Sequence, residues 1–95
     1  MKVYIAGPMT GFPDYNRAEF NQAADELRNS YVVLNPSILP SGLKQSEYMD
    51  ICCAMIRCCD CIYMLDGYED SLGAMAEIAL AKKLGLAVIY QEAEG

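Results

Sequence analysis

The sequence predicts a single α/β domain built on a parallel β-sheet, and three observations carry that prediction. Four short apolar runs, at 1–6, 31–34, 61–65 and 86–90, are each closed by turn residues, as buried strands are. Three stretches between them place apolar residues at helical spacing. Ninety-five residues, 54% of them hydrophobic and 21% charged, suit one compact core.

Met1 to Ala6 reads as the first strand, and Gly7-Pro8 ends it. The loop that follows, to Pro13, holds two glycines and two prolines, all turn signals. Asp14 or Asn16 is then expected to cap a first helix, which buries Ala18, Phe20, Ala23, Ala24 and Leu27 and turns Arg17, Glu19, Asp25, Glu26 and Arg28 mostly outward. Asn29-Ser30 breaks it before a second strand, Tyr31 to Leu34, which Asn35-Pro36 closes.

Residues 36–44 form a loop without periodicity. A second helix is expected from Ser46, its cap, to about Cys59; it is apolar nearly all round (Met49, Ile51, Cys52, Ala54, Met55, Ile56), which suggests a buried helix or a subunit interface. Cys61 to Leu65 is the third strand and Asp66-Gly67 a turn. A third helix runs from Ser71 to about Leu84, ends at Gly85, and feeds the last strand, Leu86 to Tyr90. The order βαβαβαβ implies about four parallel strands, right-handed crossovers and helices on both faces: a three-layer sandwich of Rossmann-like or flavodoxin-like type. One domain is expected over residues 1–92, with 93–95 a frayed tail.

Formal net charge is −6, and the seven Lys and Arg residues are scattered. No basic patch is present to bind a nucleic acid polymer by counterion release. No run nears the about 20 apolar residues that span a bilayer, and no leader is evident, so the expected location is the cytoplasm with no membrane partner. The five cysteines fall between Cys52 and Cys61, and the chain has no histidine. That crowding is neither a disulfide framework nor zinc-ligand spacing, so reduced, buried thiols and no metal or cofactor are expected.

In a sheet of this kind ligands bind beyond the carboxyl ends of the strands, here in the loops from Gly7 to Asn16, Asn35 to Gln45 and Asp66 to Ser71. Glu77 follows closely on the last of these. Its helical neighbours three and four positions away are Gly73, Ala74, Leu80 and Ala81, none of which can pair with a charge. A carboxylate so placed either faces water or sits in a cleft. Ser71 is a natural N-cap, and a helix start with a hydroxyl and free amides also suits an anion. Gly73 weakens that helix, a cost that makes sense where backbone or ligand must come close.

Three segments together carry a resemblance: Tyr-Ile-Ala-Gly-Pro-Met-Thr-Gly at 4–11, Asp60 ahead of the third strand, and Ser-Leu-Gly-Ala-Met-Ala-Glu at 71–77. They resemble the nucleoside 2-deoxyribosyltransferase superfamily, in particular its small phage and bacterial DUF4406-type branch. The Ser-x-Gly-x-x-x-Glu spacing is also similar to that of the 2′-deoxynucleoside 5′-phosphate N-hydrolases. The resemblance implies cleavage of a base–sugar bond, with Glu77 as nucleophile, Tyr4 orienting it, and Ser71 contacting a 5′-phosphate. Gly7, Pro8, Met9, Asp14, Asn16, Asp66 and Gly73 complete the expected substrate site.

The position matched to the family's acid is Cys52, which leaves Asp50 as the candidate acid. The partners implied are a small nucleoside or nucleotide and further copies of the chain, as a homodimer or larger oligomer. Two functions stay open: an N-glycosidase or deoxyribosyltransferase-like enzyme, and a nucleotide-binding module, weak or inactive as a catalyst, that sequesters or senses its ligand.

Overall fold

The computed structural model describes residues 1–92, and the expected frayed tail, 93–95, lies outside them. Four strands form one parallel sheet: β1 (Lys2–Ala6), β2 (Val32–Leu34), β3 (Cys61–Met64) and β4 (Ala87–Tyr90). Their spatial order is β2-β1-β3-β4, with Tyr4 in register with Leu34 on one side and Ile62 on the other. The order reverses direction between β1 and β3, and the crevice beyond the carboxyl ends of those two strands is where such sheets take ligands.

Three helices cover the sheet: α1 (Arg17–Leu27), α2 (Gln45–Arg57) and α3 (Leu72–Lys83). Alternation along each strand divides the core in two. Ile5 and Leu65 face Phe20, Ala23 and Ala24 of α1. Tyr4, Ala6, Ile62 and Met64 face the opposite way, against Cys52 and Ile56 of α2 and Ala74, Ile78 and Ala81 of α3. The three-layer sandwich is thus α1, sheet, and α2 with α3.

Several local expectations are corrected. Ser46 does not cap α2; Lys44 precedes its first turn, and the Glu47 carboxylate accepts the Lys44 N–H at 2.8 Å. Asn16 stands at the start of α1 without a side-chain capping bond. Its amide instead donates to the Pro8 carbonyl at 2.9 Å, tying the first loop to the helix. Asp14, Tyr15 and Asn16 all take positive φ, a left-handed corner that side chains with a Cβ adopt at a cost. Within the chain α2 buries only Cys52 and Ile56, leaving Ile51 exposed. Cys52, Cys59 and Cys61 are buried, but Cys58 is exposed; all five thiols are free. No helix of the described residues is long and apolar enough to cross a membrane, and no group of three or more His, Cys, Asp or Glu is placed among them to hold a metal.

Candidate functional site

A cleft of about 870 Å³ opens beyond the carboxyl end of β1, between the first loop, the 36–44 segment, α2 and the start of α3. At its inner end lies Glu77. Ala74, Ile78 and Ala81 form the buried stripe of α3, and Glu77 falls on that same stripe. The helix therefore carries a carboxylate into the core, where 8% of the residue remains accessible.

Tyr4 meets it from the sheet. The tyrosine is fully buried on β1, and its hydroxyl donates to Glu77 Oε2 at 2.8 Å. Cys52 of α2 is buried in the same core cluster as Tyr4 and lines the cleft with them. Burial pushes the Glu77 carboxyl up to about 7, against the opposing pull of hydrogen bonding to Tyr4 and then Cys52. The Tyr4 phenol is raised well above its ordinary value, first by burial and then by the Glu77 charge. Burial likewise pushes the Cys52 thiol up to about 11. Near neutral pH the cluster thus sets two protonated groups, the Tyr4 phenol and the Cys52 thiol, beside a carboxyl whose ionisation burial disfavours.

The walls follow from the loops. Ser71 caps α3, its Oγ accepting the Ala74 N–H at 3.2 Å, and both residues line the cleft with Gly73. A Cβ at Gly73 would find only Ser71 Oγ, at 3.9 Å, so this glycine leaves open space and resolves no clash. Gly7 differs: a Cβ there would come within 2.7 Å of the Leu65 Cβ, so the first loop packs directly on the sheet. Opposite, Phe12, Tyr15, Leu39, Leu43, Tyr48 and Met49 give an apolar and aromatic wall. Tyr48 holds the 36–44 segment in place, its hydroxyl donating to the Pro40 carbonyl at 2.6 Å.

Of the residues singled out from the sequence, Tyr4, Gly7, Pro8, Met9, Ser71, Gly73 and Glu77 line the cleft. The others do not. Asp50 is exposed on α2 and off the cleft wall. Asp14 is exposed and paired with Arg17 at 2.7 Å, and Asn16 supports the first loop from behind. Asp66 lines a separate, shallower groove with Glu19, Glu26 and Glu92. Asp60 lies at the other end of the sheet, accepting the Lys2 N–H at 2.8 Å.

Arg17 is the cleft residue that sequence reasoning turned outward. Helical periodicity marked it as solvated, yet its Nε donates to the Ser37 carbonyl at 3.2 Å, and its guanidinium lies 5.4 Å from the Tyr15 ring centre. The signal that marks it is its place in the first turn, directly after the loop.

A family model described as "Domain of unknown function (DUF4406)" matches residues 1–90. No curated protein matches the sequence. Among solved structures, a 2-deoxyribosyltransferase from Leishmania mexicana matches with a TM-score of 0.75 at 26% identity. The match covers 94% of this chain and 62% of the other, so this chain spans less than two thirds of that protein's length.

Proposed function

The chain belongs to the DUF4406 family, with the fold of the nucleoside 2-deoxyribosyltransferase-like superfamily, and from that premise we propose that it cleaves the base–sugar bond of a small nucleoside or nucleotide. One observation carries the proposal. Glu77 is buried at the inner end of a substrate-sized cleft, and Tyr4 fixes one of its oxygens at 2.8 Å. A site that merely bound an anion would gain nothing from a carboxylate there.

In this reading the free Glu77 oxygen attacks the anomeric carbon of the sugar and the base departs, leaving a glycosyl ester on the enzyme. Water or a second acceptor then releases the sugar. Tyr4 holds the carboxylate in the attacking orientation and stabilises its charge. Ser71 and the backbone at Gly73, on the wall formed by the start of α3, take a sugar hydroxyl or a 5′-phosphate. Gly7, Pro8 and Met9 shape the opposite edge. Asp50, turned away from the cleft, has no part in the step.

A second reading, a binding module without turnover, is favoured by one feature: the ionisable side chain beside Glu77 on α2 is the high-pKa thiol of Cys52. Incubation with pooled nucleosides and 5′-monophosphates, read by released base, separates the two. Release that disappears in Glu77→Ala supports the enzyme; thermal stabilisation by one compound with no release supports the binder. Self-association belongs to the proposal as well, since Ile51 of α2 and Leu72 and Met75 of α3 are exposed. Sedimentation velocity tests it, and a monomer at working concentration removes it.

A further inference from the structure

Breaking the bond between a sugar and a neutral base leaves negative charge on the departing nitrogen unless an acid protonates it. Glycosidases commonly hold a second carboxyl within about 5–9.5 Å of the first for this purpose. Among the described residues that line the cleft, no second carboxyl is buried beside Glu77. Tyr4 spends its proton on Glu77 itself. Cys52 holds its proton too firmly to be an effective acid near neutrality. Asp50 is on the solvent side of α2. Asp70 reaches the cleft only at its exposed rim, outside the helix that carries Glu77 and before the Ser71 cap. In place of an acid beside Glu77, the cleft presents the aromatic side chains of Phe12 and Tyr48 and the thioether of Met49. The Tyr15 ring is already taken by Arg17, the cleft's own cation, which Asp14 pairs at 2.7 Å. Aromatic faces attract cations, and the chain as a whole carries a charge of −6.

The geometry points to a cationic N-glycoside as substrate: a nucleoside or nucleotide whose base is a quaternised ring, pyridinium or N7-alkylated purine. This inference rests on the reading of Glu77 as nucleophile. Such a base needs no acid. As a Glu77 oxygen forms its bond to C1′, the C1′–N bond breaks, and its electron pair returns to the ring nitrogen and cancels the positive charge. The base leaves as a neutral molecule. The oxygen of a water molecule then bonds to C1′, the ester C1′–O bond breaks, the Glu77 carboxylate is restored, and the proton of the water passes to solvent. The same charge serves the first step, because a cation in the cleft favours the ionised form of Glu77, which a neutral base does not.

The test compares N7-methyl-2′-deoxyguanosine with 2′-deoxyguanosine, and nicotinamide riboside with uridine, each also as its 5′-monophosphate. Each kcat/KM is divided by the uncatalysed rate constant of the same compound, and Glu77→Ala, its fold checked by circular dichroism, is run beside the wild type. At least one cationic compound is expected to match or exceed its neutral partner in this ratio, because a general acid would instead favour the neutral partner by about 100-fold or more. Ratios larger for the neutral compounds by about 100-fold or more, lost in Glu77→Ala, overturn this inference and leave glycosidic cleavage standing. No base released from any compound overturns both.

Discussion

The hydroxyl of Tyr4 stands 2.8 Å from Oε2 of Glu77, joining the innermost part of β1 to the second turn of α3 across 73 residues of chain. Both side chains are buried, so the bond is made in a medium where a lost donor is not replaced by water. Tyr4→Phe keeps the packing and removes the donor. A hydrogen bond to a charged group is worth about 1.5–3 kcal/mol, so kcat/KM is expected to fall by roughly 10–100-fold. The bond also pulls the Glu77 carboxyl down, so the pH midpoint of activity moves to higher pH in the variant. Steady-state kinetics across pH checks both.

Ionisation of Glu77 also sets a pH dependence of stability. Its carboxyl titrates at its ordinary 4.5 in the unfolded chain and at about 7 in the folded protein, because burial disfavours the charge. Between those values the folded state binds more protons, so the contribution of this group is complete below about 4.5 and is lost as pH rises through 7. The loss is as much as about 3 kcal/mol. Glu77→Gln is therefore expected to flatten the decline in urea-unfolding stability between pH 5 and pH 8. Activity runs the other way, with kcat/KM of the wild type rising through the same window as the nucleophile ionises.

Gly73 and Gly7 make opposite predictions. A methyl group at Gly73 meets no closer atom than Ser71 Oγ at 3.9 Å, so Gly73→Ala should raise stability by about 0.5–1 kcal/mol through helix propensity. It fills cleft space, so KM should rise. Gly7→Ala forces a Cβ to within 2.7 Å of Leu65 Cβ and should cost about 1–3 kcal/mol as overpacking. Thermal melts beside kinetics distinguish the two.

Ser71 separates structural from substrate roles. Ser71→Ala deletes the cap on Ala74 and should cost about 1 kcal/mol. Ser71→Asp keeps a capping oxygen and adds negative charge. With it, KM for a 5′-monophosphate should rise while KM for the matching nucleoside changes little. Equal effects on both would remove Ser71 from phosphate contact.

The four strands and three helices were legible because each strand is a short apolar run closed by turn residues such as Gly7-Pro8, Asn35-Pro36 and Asp66-Gly67. Glu77 was legible for a related reason: no helical neighbour could pair with it, which marks a carboxylate on a buried stripe. The rest turned on contacts between distant parts of the chain. Arg17 obeys the periodicity of a solvated position, but the Ser37 carbonyl and the Tyr15 ring draw it into the cleft. Asp14 and Asn16 fall in the right loop, yet the left-handed corner at 14–16 points Asp14 to Arg17 and Asn16 to Pro8. Asp50 sits two residues from Cys52, about 200° round the helix, so one lines the cleft and the other faces solvent.

The most direct test of the account is the intact mass of the protein after incubation with a nucleoside bearing 2′-fluorine, which slows release of a glycosyl ester more than its formation. Cationic and neutral bases are both supplied. The account predicts an added mass equal to the fluorinated sugar, located by peptide mapping on Glu77 and absent in Glu77→Gln. Base release without any adduct, or an adduct on another residue, would contradict it.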